Sequence, residues 1–200
     1  MKSTITERLM KFVRAKGIVR AGDLKALGIP RSYLTRLVDY GQLQRISRGL
    51  YAATDSNPTV NRTLAEACKR VPGGIICLLS ALRFHDLTTQ LPSEVWMAID
   101  FKARHPREHV LPIRITRFSG RALSEGIEPH RIEGVPVRVY SPAKTIADCF
   151  KYRNKIGLDV AIEALRDGLQ KRKCTVDDLW HYARVCRVTN VLRPYLEATV

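Results

Sequence analysis

Along the first fifty residues, apolar positions recur first at helical and then at strand spacing. Ile5, Leu9, Phe12 and Val13 fall at i, i+4, i+7 and i+8, one face of a helix. Thr4-Ile5-Thr6-Glu7 has the spacing of a capping box, and Gly17 supplies a left-handed exit, so a helix is predicted over about 4–15. Ile18-Val19 suits a short strand. Arg20 to Leu27 then fits a second short helix with Ala21, Leu24 and Leu27 inward, ended by Gly28. Gly28-Ile29-Pro30-Arg31 has the chemistry of a helix-turn-helix corner: glycine tolerates positive φ, and proline pre-sets φ where the next helix begins. That third helix is predicted over 31–40 with Leu34, Leu37 and Val38 inward. After Gly41, residues 43–52 alternate apolar and polar on both sides of Ser47-Arg48-Gly49. This pattern predicts a hairpin whose Leu43, Ile46, Leu50 and Tyr51 pack on the helices. Helix, helix-turn-helix and hairpin in this order describe a winged helix.

Residues 54–59 (Thr-Asp-Ser-Asn-Pro-Thr) are polar and turn-forming and read as a linker, dividing a winged-helix domain, 1–55, from a second domain, 60–200. In the second, a helix is expected over 63–70, and Ile75 to Leu79 forms a strand or leads into a helix over 80–87. Strands are expected at 95–99, 113–118 and 135–140, with Glu133-Gly134 turning back from Arg131-Ile132. Helices follow at about 142–152, 158–171, 175–187 and 189–198. The class is therefore α+β: an N-terminal winged helix-turn-helix, then a mixed α/β domain with a small sheet and several C-terminal helices.

Charge adds a partner to this fold. Thirty-four Lys/Arg against 19 Asp/Glu give a net charge of +15, an excess that favours polyanions because neutralising phosphates releases counterions. Residues 1–60 carry 11 Lys/Arg and 4 Asp/Glu, whereas residues 61–200 carry 23 and 15, so basic density is concentrated at the front. With its apolar positions inward, the third helix leaves Arg31, Ser32, Tyr33, Thr35, Arg36 and Asp39 on or beside its outer face. Arginine reads guanine bidentately, and Ser and Thr bond bases or phosphates. Arg45 and Arg48 would project from the wing beside the duplex backbone. These seven residues, Arg31, Ser32, Tyr33, Thr35, Arg36, Arg45 and Arg48, are the expected DNA contacts, with a protein-interaction module as the alternative use of the same fold.

Catalytic signals are poor. The chain contains no G-x-x-x-x-G-K-[ST], G-x-G-x-x-G, H-E-x-x-H or G-x-S-x-G, so no enzyme and no cofactor is expected. Five widely spaced cysteines without a C-x-x-C pair argue against a disulfide framework or a zinc site and read as buried thiols. His85-Asp86, and His105 with His109, lack the geometry or the third ligand that a catalytic pair or metal site needs; no metal is expected. Lys102, Arg104, Arg107, Arg114, Arg117 and Arg121 form a basic stretch that reads as a solvated edge before a second binding surface. No run of about 18 apolar residues occurs and the N-terminus carries no apolar leader, so a cytoplasmic protein without membrane association is expected.

Several stretches together resemble the AbiEi-type antitoxins of type IV, abortive-infection toxin–antitoxin systems. They are Gly28 to Arg36, residues 45–51 (Arg-Ile-Ser-Arg-Gly-Leu-Tyr), Leu79-Ser80-Ala81-Leu82 with Leu87-Thr88, residues 140–149 from Tyr140 to Cys149, and residues 157–165 from Gly157 to Leu165. The resemblance implies a repressor that binds inverted repeats in double-stranded DNA of its own promoter. It also implies an antitoxin domain that antagonises a co-transcribed nucleotidyltransferase toxin, conferring phage resistance without a stable toxin complex. For antitoxicity it points to Lys144, Thr145 and Asp148, with helix capping by Ser141 and core support as the other role of that stretch. An ordinary winged-helix regulator with a ligand-sensing or dimerising C-terminal domain, and an enzyme within 61–200, are the competing readings.

Overall fold

A computed structural model of the chain describes residues 4–105 and 111–199, whose contacts divide them into two compact units. One unit ends at Pro72 and also includes Arg131–Val137; the other takes Gly73–His130 and the residues from Arg138 onward.

In the first unit, α1 (Ile5–Lys16) begins at the expected capping box, with Thr4 N–H donating to Glu7 Oε2 at 3.0 Å and Glu7 N–H donating to Thr4 Oγ1 at 3.2 Å. After β1 (Val19–Arg20), the expected second short helix forms over Ala21–Leu27 with 3-10 winding. The Asp23 carboxylate caps its start by accepting the Arg20 N–H at 2.9 Å, and short runs of this kind are where 3-10 winding occurs. Gly28 takes the left-handed conformation (φ 65°, ψ 22°), a cheap geometry for glycine alone, and turns the chain into α2 (Ser32–Asp39). β2 (Leu43–Ser47) and β3 (Leu50–Ala53) form the predicted hairpin, and the three-stranded antiparallel sheet has the order β1-β3-β2. Leu9, Val13, Leu24, Leu34, Leu37 and Leu43 form its core. Ile46, expected inward, is half-buried, because the ladder shifts register between Arg45 and Ser47. α3 (Arg62–Arg70) follows the polar segment 54–59 and belongs by its contacts to this unit.

The second unit opens with β4 (Ile75–Ile76) and α4 (Leu78–Phe84), followed by β5 (Val95–Asp100), β6 (Ile113–Phe118) and the short α5 (Arg121–Ser124). β7 (Ile127–Ile132) starts four residues before the predicted Arg131-Ile132 and turns at Glu133-Gly134 into β8 (Val135–Tyr140). The five-stranded sheet, ordered β6-β5-β4-β8-β7, is mixed: β5 runs parallel to β6 and β4 parallel to β8, while β4 and β5 are antiparallel. Helices α6 (Pro142–Lys151), α7 (Arg153–Ile156), α8 (Leu158–Gln170), α9 (Val176–Cys186) and α10 (Thr189–Glu197) follow. Tyr140, Phe150, Leu165 and Leu192 lie at the heart of the core. The fold is α+β, as the pattern of elements predicts.

α9 carries a second capping box: Thr175 N–H donates to Asp178 Oδ2 at 3.0 Å, and Asp178 N–H donates to Thr175 Oγ1 at 3.1 Å. The Thr175 hydroxyl bond, with the Thr175 N–H behind it, holds the Asp178 carboxyl below its ordinary range. Thr175→Ala is expected to lower stability by about 1 kcal/mol, read as a melting temperature lower by roughly 2–4 °C. Because the folded-state value is depressed, Asp178 contributes fully above the ordinary carboxylate range and loses its contribution as pH falls through its folded value. The difference between Thr175→Ala and the parent should therefore shrink on acidification towards pH 3; a difference that stays constant would show that the carboxylate takes no part in the cap.

Candidate nucleic-acid interface

α2 presents two distinct faces. Leu34 and Leu37 are buried in the core of the first unit, while Arg31, Ser32, Thr35, Arg36, Asp39 and Tyr40 are exposed. Ser32, Thr35, Arg36 and Asp39 follow at i, i+3, i+4 and i+7 and so share one side of the helix. Arg31 stands one residue before it, at the N-cap, with helical dihedrals (φ −61°, ψ −26°). Tyr33 departs from the expected outward set: its ring packs against the apolar core and is half-buried. Tyr40, which the pattern of core positions did not single out, is 64% exposed, and the Arg36 guanidinium lies 5.6 Å from the centre of its ring. That stacking limits the freedom of Arg36 while leaving its donors outward.

Beside α2, the wing is a hairpin in which Ser47 pairs with Leu50, so that Arg48 and Gly49 alone make the turn. Gly49, the second central residue, has φ 77°, a left-handed value that glycine adopts without steric cost. Arg45 and Arg48 are both exposed. The Gly49 carbonyl accepts from Ala21 N–H at 3.2 Å, tying the turn to the start of the 3-10 helix. Chemically, the unit offers guanidinium forks and hydroxyls on a helix face and two more guanidiniums on an adjoining hairpin. These are donors suited to base edges and phosphate oxygens.

The other sequence-derived candidates lie elsewhere. Lys144, Thr145 and Asp148 are fully buried on α6 in the second unit. Lys144 Nζ donates to Asp148 Oδ2 at 2.5 Å and lies 4.1 Å from the centre of the Tyr140 ring. Thr145 Oγ1 donates to the Tyr140 carbonyl at 3.1 Å, and Cys186 Sγ donates to Asp148 Oδ1 at 3.2 Å. Burial pushes the Asp148 carboxyl above the usual carboxylate range, and the Lys144 ammonium opposes the shift. Gly126, at φ 74°, makes room for this pair; a Cβ there would stand 2.7 Å from Lys144 Cβ. Ser141 occupies the N-cap of α6, but its buried hydroxyl makes no capping bond, which corrects the capping role expected of it.

His85 and Asp86 do not form a catalytic pair. His85 Nε2 lies 2.8 Å from the Tyr140 carbonyl, and burial lowers its pKa, whereas Asp86 is exposed at φ 59° and uses its carbonyl to accept from Lys171. His109 and Arg107 lie outside the described residues. Among the described residues no cluster of three or more His, Cys, Asp or Glu has the arrangement of a metal site. Cys77, Cys149, Cys174 and Cys186 form no disulfide among the described residues, and burial raises the Cys77, Cys149 and Cys186 thiols, with Cys174 pushed up to about 11. Protonated thiols of this kind are poor nucleophiles. Along the basic stretch, Arg117 donates to the carbonyls of Phe101 and Ala103 at 2.7 and 2.9 Å, Arg114 lies 4.5 Å from the Trp96 ring, and Arg121 pairs with Glu125. Lys102 and Arg104 are exposed. Among the described residues no helix is long and apolar enough to cross a membrane.

A family model described as the AbiEi antitoxin transcriptional regulator matches residues 7–54, the segment that runs from α1 through the wing. Nothing among curated proteins matches the chain. The crystal structure of the RV2827C protein from Mycobacterium tuberculosis is similar in fold, with a TM-score of 0.60 at 15% identity, covering 100% of this chain and 81% of that one.

Proposed function

With the AbiEi antitoxin transcriptional-regulator match over residues 7–54 as premise, we propose that this chain is a transcriptional repressor that binds double-stranded DNA at its own promoter. The carrying observation is the outward face of α2, with Arg31, Ser32, Thr35 and Arg36 exposed beside the wing's Arg45 and Arg48 on a unit rich in cations. In this reading the winged helix over 1–55 enters the major groove with α2 and sets the wing against the backbone. Tyr33 then contributes its hydroxyl end, its ring being held by the core. Inverted repeats are the natural target of such a module when two copies bind.

The segment 60–200 is proposed as an antitoxin domain that antagonises a nucleotidyltransferase toxin without a stable complex. Lys144, Thr145 and Asp148 would serve it through the core that they hold, since none reaches the surface. A reporter fused to the DNA upstream of the gene tests the first function: the wild-type chain is expected to silence it and Arg31→Ala/Arg36→Ala to release it. Equal reporter output with and without the wild-type chain would sink the repressor reading. Co-expression with a neighbouring nucleotidyltransferase-like gene tests the second. Growth restored by both the wild type and the double variant supports antagonism separate from DNA binding, and no rescue by either removes the antitoxin assignment.

A further inference from the structure

α3 lies outside the helix-turn-helix, follows the polar linker, and carries no residue expected at DNA. Its polar side chains nonetheless converge on the wing and its neighbours within the first unit. Arg70, 9% exposed, donates from Nη2 to Ser47 Oγ through a short hydrogen bond, and Ser47 is the residue that closes the wing turn. Lys69 Nζ donates to Asp23 Oδ2 of the 3-10 helix at 3.2 Å, the same oxygen that accepts the Arg20 N–H. The 3-10 helix in turn holds the wing through Ala21 N–H and the Gly49 carbonyl. Wing, 3-10 helix and α3 therefore form a closed triangle of contacts around the turn that displays Arg48.

Behind Arg70 stands a set of buried charges. Glu66 is 9% exposed between Arg62 and Arg70, and burial raises its carboxyl above the ordinary range while those two guanidiniums oppose the shift. Arg62 Nε lies 3.9 Å from Glu66 and 3.8 Å from Glu133, and Glu133 Oε1 also accepts from Thr59 N–H at 2.7 Å. Arg70 Nε is buried without a hydrogen-bond partner among the described residues. A buried guanidinium with an unsatisfied donor is a poor device for stability alone, since an apolar side chain of similar size avoids the desolvation. What Arg70 secures is one hydroxyl at the tip of the wing. The bulge between Arg45 and Ser47 gives that contact its leverage, because a bulge re-aims the side chains that follow it and the hairpin would otherwise be free to twist about it.

We propose that Arg70 is a positioning residue for DNA binding: through Ser47 it fixes the pose of the wing, so that Arg45 and Arg48 meet the phosphate backbone while α2 lies in the groove. α3 is then a working part of the DNA-binding unit. This inference rests on the repressor reading above, and its test separates the two. The full chain is titrated by fluorescence anisotropy against a labelled duplex of its own promoter at several salt concentrations, with melting temperature recorded for each variant. Arg70→Met and Ser47→Ala are each expected to weaken binding about five- to tenfold and to lower the salt slope by about one, the signature of a lost phosphate contact. Arg70→Lys, which keeps a donor for Ser47, should recover part of both. Arg48→Ala should lower affinity in the wild-type background but add little in Arg70→Met, because the wing is already displaced. Should Arg70→Met fold poorly, Ser47→Ala carries the same test, as it removes one hydroxyl and no charge. Wild-type affinity and slope in both Arg70→Met and Ser47→Ala, alongside a loss in Arg48→Ala, overturn the positioning role and leave the repressor reading intact. If Arg48→Ala and Arg31→Ala/Arg36→Ala also bind as the wild type does, the repressor reading falls and this inference with it.

Discussion

Replacing Arg31 and Arg36 together by alanine is expected to weaken binding to the promoter duplex by at least about thirtyfold. A well-made arginine contact to a base is worth about 1–3 kcal/mol, and two of them therefore about 2 kcal/mol at the least. The fold should survive, because both side chains are exposed and the ring stacked on Arg36, Tyr40, is itself on the surface. Unchanged melting, a thirtyfold or larger loss on the promoter, and a much smaller loss on unrelated DNA would together place the two guanidiniums at base edges. Equal losses on both duplexes would instead place them at phosphates, where they add affinity without discrimination.

The second large effect lies in the core of the other unit. Lys144→Met removes the cation from a pair with no exposure to solvent and leaves the Asp148 carboxyl, among the described residues, with the Cys186 thiol to bond it. Breaking a buried pair in this way costs about 3–5 kcal/mol, which for a chain of this size lowers the melting temperature on the order of 10 °C. The sign of its pH dependence follows from burial. Without Lys144, the folded-state pKa of Asp148 rises further above its unfolded value, so the native state holds a proton that the unfolded state gives up. The variant's stability is then complete below the unfolded carboxylate value and declines as pH rises towards the folded one. Its deficit against the wild type should be larger at pH 8 than at pH 5. The double variant Lys144→Met/Asp148→Leu should recover most of the loss; a deficit unchanged by the second substitution would show that packing around Tyr140 and Phe118, not charge, sets the penalty.

The winged helix was legible because its signals are local. Thr4 and Glu7 lie three residues apart, Gly28 and Pro30 mark a corner within one turn, and the alternation around Gly49 needs no distant partner. Which side of α2 faces outward follows from Leu34 and Leu37 alone. Tyr33 stands beside the outer face, and how far its ring turns to the core is decided by packing and not by spacing. The short helix over Ala21–Leu27 is legible as a helix, but its 3-10 winding is not, because apolar spacing does not separate the two windings over seven residues. Arg70 was passed over entirely: its partner Ser47 lies 23 residues away, and nothing in the order of residues joins them. For Lys144 and Asp148, four residues apart, core support is among the roles expected from the sequence, but the buried ion pair between them is set by the helices that surround it. Ser141 has the identity and position of a cap, yet its hydroxyl makes no capping bond.

The structural roles of the basic residues divide along the same line. Arg117 and Arg114, though exposed, are engaged with carbonyls, a carboxylate and a tryptophan ring, whereas Arg31 and Arg36 stand at the exposed face of α2 and Arg45 and Arg48 on the exposed wing. In this reading Arg31 and Arg36 meet base edges and Arg45 and Arg48 hold the phosphate backbone. The most direct measurement titrates the wild-type chain against two labelled duplexes of equal length at one salt concentration, one from its own upstream region and one with that sequence shuffled. Binding to the upstream duplex is expected to be tighter by on the order of a thousandfold, the lower end of what specific readout gives. Equal affinity for the two duplexes would contradict it.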